Sequence, residues 1–247
     1  RSDERDENLS ERVARVRHRP SVSFDRGSCG RRDTVAFPAD RIDPALSDPG
    51  RIPRAGQNGP YARLMGWVTR ESKTTYENAW IRVREDRVTG PGGADGIYGV
   101  VTMQHPAVFV VALDDEDRVC LVTIDRYTVG VSAEIPAGGT DGEDPLVAAG
   151  RELREETGYE AGEWTSLGRM NALNGIAEAS EHVYLARDLR RADASEGASE
   201  TQTEEGIQAV SWVPFDEVLT MIVEGTITDG ETIAAIAKAG IVLGRFT

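Results

Sequence analysis

The amino-acid sequence predicts a mixed α/β fold, of the α+β kind, in which helices pack on the faces of a mixed β-sheet. Short apolar runs with strand periodicity outnumber the helical segments, and the two kinds of segment interleave along the chain. The 247 residues, 39% of them hydrophobic, are also enough to build a sizeable core. We therefore expect a globular protein with a sheet sandwiched by helices.

The first 62 residues differ in composition from the rest. They are rich in Arg, Asp, Ser, Pro and Gly, and they have little apolar periodicity. We expect a disordered extension over residues 1–62, a small region of antiparallel strands over residues 63–104, and the main domain over residues 105–247.

Two hairpins are expected in the first half of the folded part. The runs "NAWIRVREDRV" and "GIYGVVTMQ" flank a Gly-Pro-Gly-Gly turn at residues 90–93. The run "AVFVVALDDEDRVCLVTIDRY" repeats this arrangement, with residues 114–117 as its turn. Both segments predict antiparallel strand pairs.

The second half alternates strands with helices. Strands are expected at residues 182–189 and over "IQAVSWVPF", separated by a polar loop at about 193–206. Two helices close the chain, near 215–224 and 231–239, and Asp229 is the predicted N-cap of the last one.

A further helix is expected over about residues 145–157. Asp144 followed by Pro145 is a helix-start signature, and Gly158 is a natural stop in the left-handed conformation. At about 100° per residue, one face packs on the sheet. We expect this face to hold Leu146, Ala149 and Leu153.

This helix carries a cluster of glutamates, Glu152, Glu155 and Glu156, at the predicted edge of its packed face. Solvated acidic helices usually place Lys or Arg four residues away, yet only Glu155 has such a neighbour, Arg151. Carboxylates about 5 Å apart repel by about 1 kcal/mol in water and by about 3 kcal/mol at an effective dielectric near 20. The alternative is a plain solvated face. The cluster favours a divalent cation, and oxygen-only ligation suits Mg²⁺ or Mn²⁺.

Other features narrow the class of protein. The formal charge of −14 argues against nucleic acid or an anionic membrane as partner. The two cysteines and three histidines are scattered, so neither a disulfide framework nor a zinc site is expected. The longest apolar runs are strand-sized, and no secretory segment is evident near the start, so a cytoplasmic enzyme is expected.

The stretch "GEDPLVAAGRELREETGY" resembles the Nudix box, whose second half reads Arg-Glu-U-x-Glu-Glu-x-Gly-U, with U aliphatic. Glu143 lies at the required distance upstream. The sequence departs from the pattern at the front, where Ala137 stands in place of the first glycine and Gly138 follows one position late. We interpret this as a loop one residue shorter than usual. The second half of the box is filled by Arg151, Glu152, Leu153, Glu155, Glu156 and Gly158.

The resemblance extends over about residues 66–239, and it is to the ADP-ribose and nucleotide-sugar pyrophosphatase branch of the Nudix hydrolases. It implies the Nudix fold and a metal site formed by the three clustered glutamates with the backbone carbonyl of Ala137. It also implies that Arg151 orients the cluster and that Glu143 supports it. Glu152, Glu155 and Arg151 would then be catalytic residues.

The resemblance implies further site residues outside the box. Glu178 is the candidate for a base or extra metal ligand, with Glu181 as its rival, and either is otherwise a plain loop residue. Arg126 and Glu134 would contact the substrate, although Arg126 is otherwise a surface arginine at a strand end. Trp80 would stack on adenine across a homodimer built from the region around residues 67–103, or else serve packing alone.

The implied reaction is Mg²⁺-dependent hydrolysis of a nucleoside diphosphate derivative at the pyrophosphate, in the first instance ADP-ribose to AMP and ribose 5-phosphate. A broader nucleotide-sugar pyrophosphatase is the alternative within the enzyme class. A Nudix-fold sensor that binds a nucleotide without cleaving it is the alternative outside that class.

Overall fold

The structure is a computed structural model that describes residues 66–192, 202–203 and 206–246. The extension expected over residues 1–62 lies outside the described residues, as does most of the loop expected near 193–206. In chain order the elements are β1 (Val68–Glu77), β2 (Ile81–Thr89), β3 (Asp95–Met103), β4 (Ala107–Ala112), β5 (Arg118–Arg126), β6 (Gly130–Glu134), β7 (Ala137–Gly139), α1 (Pro145–Thr157), β8 (Tyr159–Asn171), β9 (Ala177–Glu178), β10 (Ser180–Arg191), β11 (Ile207–Pro214), α2 (Phe215–Glu224) and α3 (Gly230–Val242).

The strands form three sheets. The central sheet has the order β7-β4-β10-β8 and is mixed, because β4 and β10 are parallel whereas β7 and β8 run antiparallel to their neighbours. A second sheet, β11-β5-β6, is antiparallel. Strands β4 and β5, predicted to pair with each other, lie in different sheets and are connected by a single bridge between Leu113 and Val119. The third, here called the N-terminal sheet, has the order β1-β2-β3-β9.

Strand β4 separates two apolar cores. Alternate side chains of a strand point to opposite faces, so the continuous apolar run of β4 serves both. Val108 and Val110 pack with Ala149 and Leu153 of α1. On the other face, Val111 belongs to the cluster that contains residues of α2 and α3. The predicted mixed sheet with helices on its faces is confirmed.

The bounds of the helices follow their sequence signals. The side chain of Asp144 accepts a hydrogen bond from the backbone N–H of Leu146 at 2.9 Å, and Gly158 ends α1 with a φ of 74°. Helix α2 spans the predicted residues, and Asp229 caps α3 by accepting from the N–H of Thr232 at 2.7 Å. Helix α3 continues three residues beyond its predicted end at Ala239, to Val242.

The buried face of α1 differs from the predicted one. Leu146 is 41% exposed, whereas Glu152 and Glu156 are 5% and 2% exposed. At 100° per residue, the buried positions cover an arc of about 180°, and Glu156 lies close to its centre. These two carboxylates therefore lie within the packed face and not beside it. The buried residues are Ala148, Ala149, Glu152, Leu153, Glu156 and Thr157.

Among the described residues, no helix is long and apolar enough to cross a membrane. Cys120 is a free, fully buried thiol in the core between β4 and α1, and burial raises its pKa to about 12. Cys29 lies outside the described residues.

Candidate active site

A tight turn leads from β7 into α1. The N–H of Glu143 donates to the carbonyl of Thr140 at 2.8 Å, and the two residues between them have positive φ values, 49° at Asp141 and 88° at Gly142. Two consecutive positive φ values are typical of a type I′ turn, which Asp-Gly adopts readily. This compact turn accommodates the altered front of the box and brings Glu143 back to the helix.

Arg151 connects the turn, the helix and β7. Its Nε donates to Glu143 at 2.9 Å, and its Nη1 donates to Glu152 at 2.8 Å and to Glu155 at 3.1 Å. Its Nη2 donates to the carbonyl of Gly139 at 2.9 Å. Burial disfavours the guanidinium charge, but the bonds to these carboxylates outweigh it and raise the pKa of Arg151. The structure thus gathers three of the predicted glutamates around the guanidinium of Arg151.

The other two glutamate contacts involve β7. Glu156 accepts a hydrogen bond from the N–H of Ala137 at 3.1 Å. Glu152 lies against Gly138, where a Cβ atom would be 2.2 Å from its carboxyl carbon. A glycine is therefore needed at position 138 for Glu152 to keep its place. In the sequence, Gly138 is only a glycine displaced from the box, whereas its contact with Glu152 gives it a role of its own.

The donor set of this cluster suits a hard divalent cation, because it consists of carboxylate and carbonyl oxygens. In the described part of the chain, no three His, Cys, Asp or Glu side chains already converge on one metal position. Arg151 bonds one oxygen each of Glu143, Glu152 and Glu155, so a bound cation would share these carboxylates with Arg151. The donor chemistry fits a metal, and the ligand roles stay predictions.

Arg126 and Glu134, both predicted to contact substrate, form an ion pair with each other. The Nη2 of Arg126 donates to Glu134 at 2.7 Å, and Glu134 is 7% exposed. The hydrogen bond to Glu134 raises the pKa of Arg126, and the charges of Glu156 and Asp229 act in the same direction. The positive charge of Arg126 is therefore held by Glu134 and is also stabilised by the charge of Glu156 on α1.

Glu178 lies in β9 and is held by the N-terminal sheet. Arg84 of β2 donates to both of its oxygens, at 2.6 and 2.8 Å, and Thr102 of β3 donates at 2.8 Å. The hydrogen bonds from Arg84 and then Thr102 lower the pKa of Glu178 to about 2. Glu178 is therefore ionised and engaged, which makes it a weak proton acceptor. Arg84 and Thr102 were not singled out from the sequence, since nothing in a strand pattern identifies a partner more than seventy residues away.

Glu181, the rival candidate, stands at the start of β10 and is 5% exposed. Its Oε2 makes no hydrogen bond within the described part of the chain. Burial raises the pKa of Glu181 to about 7, assisted by the negative charges of Glu231 and Asp229 at the start of α3. A carboxyl with these properties exchanges a proton near neutral pH.

Trp80 follows the end of β1 and is 73% exposed. Its backbone N–H donates to the side-chain oxygen of Asn78 at 2.9 Å. No ring contact or side-chain bond joins it to another predicted site residue among those that the structure describes. Within one chain, therefore, the structure does not bring Trp80 into the glutamate cluster.

Two sequence families match the chain. The family described as "NUDIX domain" matches residues 103–236, more than half of the chain, including the whole of α1. The chain belongs to the Nudix hydrolase family. The family described as "Nucleoside diphosphate sugar hydrolase N-terminal domain" matches residues 67–101, which form β1, β2 and most of β3.

The chain is also similar to individual known proteins. It is 36% identical over 182 residues to "ADP-ribose pyrophosphatase" of Mycobacterium tuberculosis, covering 72% of this chain and 85% of that protein. It is 32% identical over 177 residues to "Methanol dehydrogenase activator" of Bacillus methanolicus, covering 70% and 92%. A solved structure, "Crystal structure of ADP compounds hydrolase", matches with a TM-score of 0.63 and 18% identity over 74% of this chain and 96% of that one. At this identity the structural match concerns the fold.

The Gly138→Ala variant tests the contact with Glu152. The new methyl group displaces a flexible carboxylate rather than backbone, so we expect little loss of stability. Hydrolytic turnover should fall at least about tenfold, because a misplacement of about 1 Å in a site can cost up to about 100-fold. Steady-state kinetics and thermal unfolding measure the two effects. The matched control is Gly99→Ala, whose methyl group meets nothing within 4 Å; equal turnover of the two variants would contradict the role given to Gly138.

Proposed function

We propose that this Nudix hydrolase cleaves the pyrophosphate of a nucleoside diphosphate derivative with Mg²⁺ as cofactor, and that ADP-ribose, giving AMP and ribose 5-phosphate, is its main substrate. The observation that supports this proposal most strongly is the set of carboxylates on α1, which lie around Arg151 and opposite β7. The name of the M. tuberculosis relative supports ADP-ribose as the substrate.

In this proposal Glu152, Glu155 and Glu156, with the carbonyl of Ala137, hold the cation. When bound, it neutralises charge on the diphosphate and lowers the pKa of a water molecule. Arg151 keeps the glutamates in place through its bonds to the helix and to Gly139.

Arg126 binds the diphosphate in this proposal. Glu134 orients its guanidinium through the 2.7 Å bond, and the same bond raises the pKa of Arg126 further. A planar guanidinium matches the geometry of phosphate oxygens, so Arg126 supplies the positive charge that a chain of net charge −14 needs near its anionic substrate.

Of the two glutamates left open by the sequence, we propose Glu181 as the proton acceptor. A general base works best when its pKa is near the working pH. The pKa of Glu181 is about 7, whereas Arg84 and Thr102 hold that of Glu178 near 2. An unpartnered oxygen also leaves Glu181 able to accept a proton.

The nucleotide-sugar alternative has its own support, because the match over residues 67–101 is to a family described by nucleoside diphosphate sugars. Both substrates share the diphosphate that the glutamates and Arg126 would engage. They differ in the group beyond it.

We further propose a cytoplasmic homodimer that pairs through the N-terminal sheet. Every residue of β1 is exposed, and large apolar side chains on and beside this sheet, among them Trp67, Tyr76 and Trp80, face solvent. A second copy would cover them and would bring Trp80 to the partner's site. Sedimentation equilibrium should give twice the chain mass of 26.8 kDa; a monomer at micromolar concentration would contradict this.

The experiment that tests the proposed function compares kcat/KM for ADP-ribose with that for two nucleotide sugars, NADH and a diadenosine polyphosphate. We expect the highest value for ADP-ribose, with AMP and ribose 5-phosphate as products. A higher value for a nucleotide sugar would support the alternative, and no turnover of any of these compounds would contradict the proposed reaction.

A further inference from the structure

The chain between β8 and β10, residues 172–179, is here called the connecting segment. It folds back on itself through hydrogen bonds from the N–H groups of Ile176 and Ala177 to the carbonyl of Leu173, at 2.8 and 2.9 Å. At its end it enters β10, where Glu181 is the second residue. The position of the connecting segment therefore determines where Glu181, the proposed proton acceptor, lies.

The N-terminal sheet holds the connecting segment by its backbone. Strand β9 adds to the edge of the sheet, parallel to β3, with Val101 and Thr102 opposite Ala177 and Glu178. The N–H of Val101 donates to the carbonyl of Ile176 at 2.9 Å, and the hydroxyl of Tyr98 donates to the carbonyl of Gly175. Two residue pairs form a very short ladder, and a ladder of this length is weak by itself.

A bidentate ion pair reinforces this short ladder. Arg84 crosses β3 from β2 to reach both oxygens of Glu178, and it also donates to the hydroxyl of Thr102 at 2.8 Å. Asp86 accepts from the Nε of Arg84 at 3.1 Å, so the guanidinium is oriented from behind. Bidentate pairs fix geometry as well as charge, and the Arg84 side chain is only 20% exposed.

A cleft of 450 Å³ lies on the connecting segment, where it faces the β3–β4 link. The carbonyl of Pro106, in this link, accepts from the N–H of Thr140 at 2.9 Å, and Thr140 directly follows the β7 residue that Arg151 bonds. One residue of the cleft, Pro106, is therefore connected through β7 to the residue that holds the glutamate cluster. Six of its lining residues are Met103, His105, Asn171, Asn174, Ala179 and Ser180.

We propose that Arg84 is a positioning residue for hydrolysis: its ion pair with Glu178 fixes the connecting segment, and with it the adjoining cleft and the start of β10, against the N-terminal sheet. In this proposal Arg84 acts through Glu178, with which it forms its ion pair. The kinetic part of this inference rests on the proposed function, whereas its structural part does not.

The test uses the full chain with Arg84→Leu, Arg84→Lys and the charge exchange Arg84→Glu with Glu178→Arg. In Arg84→Leu we expect faster hydrogen exchange at the amides of Val101, Ile176 and Ala177, with unchanged exchange in α1. We expect kcat/KM for ADP-ribose to fall about tenfold or more, with a raised KM. The kcat/KM of Arg84→Lys should lie between those of the wild type and Arg84→Leu. The charge exchange should recover part of the kcat/KM that Arg84→Leu loses.

The matched control is Arg87→Leu, in the same strand, where a 73% exposed side chain makes only a 3.5 Å contact with Glu71. A purely structural role for Arg84 would reduce the amount of folded enzyme and leave KM unchanged. The inference is overturned if Arg84→Leu matches Arg87→Leu in exchange and in KM, or if the charge exchange recovers nothing. If Arg84→Leu does not fold, Thr102→Val, which removes another bond to Glu178, replaces it. If the wild type shows no hydrolysis, the proposed function fails, and hydrogen exchange alone decides the role of Arg84.

Discussion

The Glu156→Gln variant is expected to fold normally and to lose about 100- to 1,000-fold in kcat, since a bound cation supplies several kcal/mol of charge stabilisation in the transition state. Glu156 is 2% exposed, and its carboxylate faces the N–H of Ala137 at 3.1 Å. An amide oxygen can still accept that hydrogen bond. The substitution also removes one negative charge from a helix that places Glu152 four residues earlier, so the stability without metal should be equal or higher.

Turnover measured over a range of Mg²⁺ concentrations, with thermal unfolding alongside, checks this expectation. The matched control is Glu224→Gln, which removes an exposed carboxylate from the last turn of α2. Glu155→Gln should behave like Glu156→Gln. Near-wild-type turnover of either variant at every Mg²⁺ concentration would show that the glutamates of α1 do not hold the cation.

The second large effect is expected from Glu181→Gln, which should lower kcat by about 100- to 10,000-fold, the usual contribution of a general base. In the wild type, kcat/KM should rise as the pH increases through about 7, because Glu181 must lose its proton to act. The variant should lack this rise. If Glu178→Gln removes the rise and Glu181→Gln does not, the assignment of the base is reversed.

Stability gives an independent readout for Glu181. The pKa of Glu181 in the folded chain, about 7, lies above its ordinary value of 4.5. At pH values between these two pKa values, the folded state therefore binds more protons than the unfolded state. The free energy of unfolding contributed by this group therefore falls as the pH rises through that window. Glu181→Gln should raise the melting temperature at pH 8 and change it less at pH 4.

The parts of the fold that carry their own local signals could be predicted from the sequence. Asp144, Pro145 and Gly158 set the ends of α1, and the polar residues 114–117 predicted the turn between β4 and β5. The pairing of these two strands was predicted wrongly, because they lie in different sheets. Strand β8 was not predicted. Only Leu167 among its thirteen residues is buried, and its stability comes from the long antiparallel pairing with β10.

In the candidate site, too, features with a local sequence signal could be predicted, whereas features that depend on tertiary packing could not. The spacing of Glu152, Glu155 and Glu156 identified the cluster, but the depth of its burial depends on how α1 packs on β4, which periodicity alone did not resolve. Arg84 could not be linked to Glu178 from the sequence, because 94 residues separate them and only the addition of β9 to β3 brings them together. Likewise, the high pKa of Glu181 arises from tertiary burial beside α3.

Binding and turnover of ADP-ribose by the purified full chain, measured with Mg²⁺ and then with excess EDTA, test the proposed reaction most directly. We expect release of AMP and ribose 5-phosphate with Mg²⁺, loss of turnover with EDTA, and its return when Mg²⁺ is restored. Tight binding of ADP-ribose without turnover, at any concentration of divalent cation, would show that the chain is not an ADP-ribose hydrolase and would favour a nucleotide sensor.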